Sequence, residues 1–585
     1  MKHFLNDIEI SPRDRNEIAV ISDFTGNPNV LNISTETLIL TRDAYDIVKQ
    51  HIQTIGVFEG IPYRIELDGG INLNFYVDLT ENAVFRDHEC EITLKKRNGS
   101  DNFFENANAT SFELILKKIN DGTTNVSFDL IEIPYVIVRE DIGTQQIVLL
   151  VTIYIMTEQT IDAATKLVDA ISDVIEASTP IIGFDATGIP TISFNTGAII
   201  TASLKATAQL IYVALLVIAL FDLATKLFVI IFPPVRKFNG VRVRELMKKS
   251  CEFLGFQFQS TLMNGLQNLT ILPVPLVRDR KSIWEFLPDE FNSSFTKGVP
   301  SSSDSVSSIG SLFDAMETMF NAKTRVNNGV VRFERRDFWQ NNTTAQIVPA
   351  LVKQNERSDE FTFNTGDIWK RYYIRYALDF TDLHSVDKIY DYHDAEFSTE
   401  PTNVVNSDLV LIKNLNEVNI PFSLGARKDR LFWFEATAKA LFVVIDGLIN
   451  LFGGSSNLAA SIDDRKNILM ISQNYFSQTK MLWCNSNGRQ PENFTDFISA
   501  NALWNNFHSI NQIQQFDWKI KTNARIQLNS NDFLNLLDNN FCEINGKMCE
   551  ILRIEWIDEK SFASITFREP FDYANGKVYT LTINA

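Results

Sequence analysis

The side chains best suited to nucleophilic, acid–base or metal chemistry are six histidines (His3, His51, His88, His384, His393, His508) and five cysteines (Cys90, Cys251, Cys484, Cys542, Cys549). They are scattered along 585 residues, and their spacing forms no recognised constellation. A Cys–His dyad such as Cys484 with His508 would have to be assembled by folding, and nothing local calls for it. In DYHDAE, Asp391, His393, Asp394 and Glu396 carry metal-ligating groups, but with no second cluster to close a coordination shell a solvated loop is the simpler reading. The sequence holds no phosphate loop, no Gly-x-Gly-x-x-Gly after a strand, no Gly-x-Ser-x-Gly elbow and no His-Glu-x-x-His. With 72 Asp plus Glu, carboxylate pairs arise by number alone. The chain does not read as an enzyme, and no cofactor or metal is expected.

Too few and too scattered for a disulfide scaffold, the cysteines suit a protein folded in reducing cytoplasm. In CEINGKMC, an Asn545-Gly546 turn sets Cys542 opposite Cys549 across a hairpin, where two small apolar residues on one sheet face are the plainer expectation and oxidation outside a cell the other. A net charge of −18 opposes a phosphate backbone, and no long basic stripe offsets it, so sequence-specific nucleic-acid binding is not expected. The opening MKHFLNDIEISPRD puts charges where a signal peptide needs its apolar region.

The stretch with the strongest physical demand is Leu210 to Phe232, LIYVALLVIALFDLATKLFVIIF, stopped by Pro233 and Pro234. At ~1.5 Å per residue such a helix is long enough to cross a hydrocarbon core of ~30 Å. Its candidate membrane-interacting or lumen-buried residues are Leu210, Val213, Leu216, Val217, Leu220, Asp222, Lys226, Val229 and Phe232. Asp222 and Lys226 stand four apart on one helical face, where pairing lowers the cost of each. Arg236, Lys237, Arg242 and Arg244 follow as a basic flank. The span is either lipid-facing or held inside a large complex; the otherwise soluble character of the chain favours protein as its resting place.

The remaining elements position that stretch. Length implies about three to five domains, and hydrophobic and charged fractions of 45% and 22% are those of a globular chain, with 44 Phe to fill sheet interfaces. Residues 1–156 form an N-terminal antiparallel β domain. In it, IPYRIELDGGINLNFYVDL is a hairpin, a helix lies near Arg42 to Ile55, and SFELILKKINDGTTNVSFDLIEIPYVIVRE and QQIVLLVTIYIM are strands. Residues 157–235 form a helical insertion, whose amphipathic arm carries Ile161, Leu167, Val168, Ile171, Val174 and Ile175 on one stripe before a Gly- and Pro-punctuated link into the apolar arm. Residues 236–356 form a helix-plus-hairpin domain in which a helix (Leu246, Cys251, Leu254 inward) turning to strand at Phe256 is followed by another (Leu312, Met316, Met319, Phe320) feeding a hairpin at Asn328-Gly329. Residues 357–510 form a mixed α/β domain whose helix RLFWFEATAKALFVVIDGLINLF carries too many charges for a lone span and ends at Gly453-Gly454. Residues 511–585 form a C-terminal β module with a short helix from Asn529 to Leu537. The fold class is α+β: several β-rich, barrel- or sheet-like modules, helix-plus-hairpin elements and an inserted apolar helical hairpin.

Three stretches, IPYRIELDGGINLNFYVDLTENAVFRDHECEITLKKR, SLFDAMETMFNAKTRVNNGVVRFERRDFW and EINGKMCEILRIEWIDEKSFASITFREP, resemble structural proteins of the tailed-bacteriophage baseplate hub or tail tip, in particular tail proteins of Bacteroidetes phages and prophages. The resemblance covers most of 1–120 and 236–585 and not the apolar hairpin. It implies a virion protein assembled in the host cytoplasm, a homo-oligomer, commonly a trimer, ringing the tail lumen. Its implied partners are other tail, baseplate and tape-measure proteins, with transient host-membrane contact. It carries over no catalytic residues. The alternative is a membrane-anchored bacterial binding protein with a single span at 210–232.

Overall fold

The computed structural model describes residues 2–584 except 14–18, 25–30, 34–36, 68–70, 81–82, 97–102, 138–143, 179–180, 185–189, 194–195, 232–234, 275–299, 301–303, 328, 342–345, 348–360, 364–368, 383–390, 402–412, 429–432, 452–457, 460–466, 472–476, 510–517, 545–546, 558–561 and 571–580. The turns expected at Asp68-Gly69-Gly70 and Asn545-Gly546 and the helix end at Gly453-Gly454 fall outside the described residues, as does Asn328, while its turn partner Gly329 is described at φ 76° between the paired Asn327 and Val330. The helices that matter here are α1 (Asp43–Thr54), α2 (Phe103–Ala109), α3 (Phe112–Asn120), α4 (Thr144–Ala177), α5 (Thr196–Ile231), α6 (Val243–Phe253), α7 (Thr261–Gly265), α8 (Ile309–Phe320), α9 (Arg336–Asn341), α10 (Trp433–Leu451) and α11 (Ser530–Asp538).

The fold is mixed α+β, with two sheets curled into open half-barrels and several helices. In the first hairpin, Ile61–Leu67 pairs with Ile71–Asp78 in the register Tyr63↔Phe75 and Ile65↔Leu73, burying Tyr63, Ile65, Phe75 and Val77 as a period of two requires. This hairpin is the middle of a seven-stranded sheet. An eight-stranded sheet gathers Lys547–Ile557, Phe562–Pro570 and Trp518–Gln527 with the N-terminal strand Ala19–Asp23, which pairs Ser22 with Ile554. The two sheets share one core: Leu5, Leu40, Val48, Tyr63 and Ile92 pack in the same cluster as Phe533, Ile551, Ile554 and Phe567. α1 and α11 cover it, each contributing buried side chains such as Val48 and Leu536.

A second, larger core lies beneath a six-stranded sheet of Ser423–Leu424, Lys480–Trp483, Leu269–Leu272, Arg236–Arg242, Leu130–Ile137 and Leu469–Ile471. α8 runs through its middle. Ser308 accepts from the Ser311 N–H, Ser311 reciprocates, and Asn321 ends the helix in the left-handed region at φ 47°, which Asn tolerates. Phenylalanines fill the interfaces edge-on: Phe103 meets Phe256 and Phe313, and Phe320 meets Phe507. At Gly240, a Cβ would stand 2.8 Å from the Ile271 carbonyl oxygen, so only glycine lets these strands close.

One ionic cluster is wholly buried in this part of the body. Lys480 Nζ lies 2.9 Å from Asp379 and 3.0 Å from Asp382, and Asp379 also accepts from the Thr381 and Ser477 hydroxyls. Burial opposes the Asp379 charge, but Lys480 and these donors outweigh it and hold its pKa at about 2.

Several strand expectations are corrected. FELILKKIN is helix α3, not strand: Ser111 caps it by accepting from the Leu114 N–H, Phe112, Ile115 and Leu116 face the core, and Gly122 follows at φ 65°. The run from Ile147 to Met156 is the first part of α4, because an unbroken apolar run fits either period and length decides. The helix expected from Thr157 therefore begins at Thr144. After α6, Gln257–Gln259 does not make its own hairpin; it pairs in parallel with Val330–Arg335, so among the described residues of 236–356 the helix-plus-hairpin unit is formed at α8 and not at α6. Asp394 and Glu396 lie on the strand Asp394–Pro401, while His393 is buried and stacked on Tyr392, so this stretch is not a solvated loop.

Candidate functional site: an outward-facing apolar helical face

α4 and α5 pack antiparallel, as the contacts between Lys205 and Asp173 (2.7 Å) and between Gln209 Nε2 and the Ala163 carbonyl (3.1 Å) show. They leave from and return to one sheet. The strand Leu130–Ile137 precedes α4, the strand Arg236–Arg242 follows α5, and the two are antiparallel neighbours from Leu130↔Val241 to Tyr135↔Arg236. The β-sheet body therefore holds both feet of the helical pair on the same side.

The seam between the helices is narrow and made of small residues on one side. α4 buries Ile153, Thr157, Thr160, Ala163, Leu167 and Ala170, a three–four repeat, against Val213, Val217, Leu220 and Ala224 of α5. The hydroxyls of Thr157 and Thr160 donate to the Ile153 and Met156 carbonyls four residues back at 2.7 Å each, which removes their demand for water. α10 adds Phe442, Ile445 and Ile449, and its Asp446 accepts the N–H groups of Leu458 and Ala459 at 3.2 and 2.9 Å. α10 is thus packed against the other two helices, as its charges suggested, although Val443, Val444 and Leu451 stay exposed.

The bulky apolar residues point away from the seam. Tyr154, Ile155, Ile161, Val168, Ile171 and Ile175 of α4 are exposed, and so are Leu210, Ile211, Tyr212, Leu215, Ile218 and Phe221 of α5, with Leu215 at 61% and Ile218 at 65%. The stripe expected to be buried on α4 is corrected accordingly: of Ile161, Leu167, Val168, Ile171, Val174 and Ile175, only Leu167 is fully buried. Small side chains on the α4 side let the backbones approach and leave these larger side chains outside the seam. Among the described residues, α5 from Ala198 to Ala224 is long and apolar enough to cross a membrane, with mean hydropathy 2.1, and only 17% of that window is buried within the chain.

Of the residues singled out in sequence, Val213, Val217 and Leu220 form the seam, Leu216 is partly buried beside them, and Leu210 and Asp222 are exposed. Lys226 and Val229 continue α5, but their side chains, and Phe232 altogether, lie outside the described residues. The basic flank is used within the body: Lys237 reaches Glu132, and Arg242 donates to the Gln267 and Cys484 carbonyls.

The polarity of the helical pair changes along its length. Toward the link joining the helices, α4 carries the Asp162–Lys166 pair at 2.6 Å and the Asp173–Lys205 bridge to α5. Near the body, Ile153 and Met156 lie with Leu220, Leu223 and Ala224. α5 has 36 residues, about 54 Å of helix, against ~30 Å of bilayer core. A bilayer-spanning zone and an end bearing these charged pairs both fit on that length, with Asp222 exposed on the body side.

Among the described residues, the Cys–His pair considered from sequence is not brought together. His508 Nε2 donates to the Met319 carbonyl at 3.1 Å, whereas Cys484 sits in a separate cluster with Leu469 and Leu482. Cys542 and Cys549 are register partners across their hairpin, both free and buried, and burial pushes the Cys549 thiol up to about 12. Among the described residues, no three His, Cys, Asp or Glu side chains converge as a metal site. Compared with known proteins, the chain matches no family model, no curated protein and no solved structure.

Proposed function

We propose that this chain is a membrane-anchored protein whose β-rich body is held at a bilayer by the α4–α5 pair and presents its binding surfaces on the side where both feet are rooted. The observation that carries this reading is the outward apolar face of α5, 17% buried over a window of spanning length. A helix apolar all round is stable in lipid or in the core of a large protein, and the described residues place no such core around it. The paired strands at its feet favour a helical excursion that enters and returns, with α4 as the companion arm, over a lone span that would separate the two halves of one sheet.

A second reading keeps the same face and changes its cover. In a tail-tip or baseplate ring, neighbouring copies and other tail proteins would bury the helices and complete the open half-barrels into closed barrels, with the inserted hairpin released toward a host envelope later. The open curled sheets favour it, because uncovered strand edges invite pairing with another chain.

Alkaline carbonate extraction of cells expressing the full chain tests the first reading. The wild type is expected in the carbonate-resistant membrane fraction, and Leu215→Lys with Ile218→Lys in the soluble fraction with its thermal unfolding midpoint unchanged. A wild-type chain released by carbonate overturns membrane anchoring; purified phage particles containing it at the tail tip would establish the ring.

A further inference from the structure

We propose that the cleft between α6, α7 and the strand Val330–Arg335 binds a phosphate-bearing ligand. It encloses about 360 Å³, at the small end of the range for ligand sites. Arg244 and Lys248, one turn apart on α6, share it with Arg332 from the strand. One carboxylate also lines it, and that one is occupied: buried Glu334 accepts the Thr261 N–H (2.7 Å), the Leu262 N–H (3.1 Å) and the Thr261 hydroxyl (2.6 Å) at the start of α7.

The cations are oriented without being neutralised. Arg332 donates to the Gln259 side-chain oxygen at 3.1 Å and Arg244 Nε to that of Asn264 at 2.9 Å, both neutral amides. Lys248 lies 3.8 Å from Glu252 in a solvent-exposed pair four residues apart, which contributes little. In a chain of net charge −18, three positive side chains around one pre-engaged carboxylate form a local field of the opposite sign. Guanidinium forks and an ammonium match a phosphate group, which accepts several donors at once. Phe258 and Phe338 add apolar walls for the organic part of an ester, with the Arg332 guanidinium 5.9 Å from the Phe338 ring. The ester can be soluble or a lipid headgroup; the recognition chemistry is the same, and neither requires the membrane reading above.

The test is titration calorimetry on the full chain in non-ionic detergent at constant ionic strength, with inorganic phosphate and phenyl phosphate as probes. Saturable one-to-one binding is expected, tighter for phenyl phosphate, weakened at least tenfold by Arg332→Gln and by Arg244→Gln and unchanged by Lys249→Gln. Lys248→Gln, the mildest change, gives the same reading should an arginine prove necessary for folding. No saturable binding of either probe, or binding indifferent to all three cleft substitutions, overturns the proposal. Sedimentation with phosphatidic acid and phosphatidylcholine vesicles then separates the sources. A preference for phosphatidic acid lost in Arg332→Gln assigns the phosphate to a lipid, and phenyl phosphate binding without that preference assigns it to a soluble ester.

Discussion

α8 and α5 are both apolar helices, and the chain treats them in opposite ways. α8 is twelve residues long and buries Ile309, Gly310, Leu312, Phe313, Ala315, Met316, Met319 and Phe320, with its ends fixed by Ser308 and Asn321. α5 is three times as long and buries a single narrow seam. In α8 the large side chains are the contact; in the α4–α5 pair α4 meets α5 largely through Thr and Ala, and most of the large side chains face out. Hydrophobicity alone therefore does not say where a helix lies. What separates the two is which side chains the partner touches.

The largest effect that tests this contrast is a pair of truncations. Phe320→Ala, which empties a fully buried site against Phe507, is expected to cost about 3–5 kcal/mol of stability. Leu215→Ala, on the outer face of α5, should stay within about 0.5 kcal/mol. Chemical unfolding in detergent measures both; comparable losses would mean that α5 is packed as α8 is.

A pH series sharpens the α8 side. Burial lowers the His508 pKa to about 4, despite the bond that Nε2 makes to Met319 in the last turn of α8. The unfolded chain takes up this proton near pH 6.5 and the folded chain refuses it until about pH 4. The contribution of His508 is thus complete above pH 6.5 and lost as pH falls through that window, by up to about 3 kcal/mol. His508→Gln keeps a donor for Met319 and should flatten this part of the stability–pH curve. An unchanged slope would show that His508 does not titrate there.

The smallest effect lies on the α5 side. Lys205→Ala removes an exposed, solvent-screened bridge to Asp173 and should leave stability almost unchanged. A larger loss, read from the unfolding midpoint, would mean that this end of the pair is held in dry surroundings.

Legibility in the sequence followed the same division. The hairpin from Ile61 to Asp78 is readable because strict alternation flanks a Gly-rich turn, and α8 because Leu312, Met316, Met319 and Phe320 repeat at helical spacing. The core position of α10 was also readable, from charges interrupting its apolar run. α3 and the start of α4 were misread, since FELILKKI and IVLLVTIYIM satisfy both periods and the deciding Ser111 cap is a single side chain. The α4 seam was missed for another reason. Thr157, Thr160, Ala163 and Ala170 carry the correct repeat, but bulkier neighbours hide it when positions are ranked by hydrophobicity. The cleft of Arg244, Lys248 and Arg332 had no sequence signal, because a parallel pairing between Gln257–Gln259 and Val330–Arg335 brings its walls together.

The pairing of Ser22 with Ile554 also sets a schedule for biogenesis. The strand Ala19–Asp23 leaves the ribosome roughly five hundred residues before its partner, about half a minute to two minutes at ~5–20 residues per second. Through that interval an apolar strand and half of a shared core wait without their complement, while the helices of the α4–α5 pair have already emerged. Synthesis of the hairpin formed by Lys547–Ile557 and Phe562–Pro570 supplies the missing partner and ends that wait.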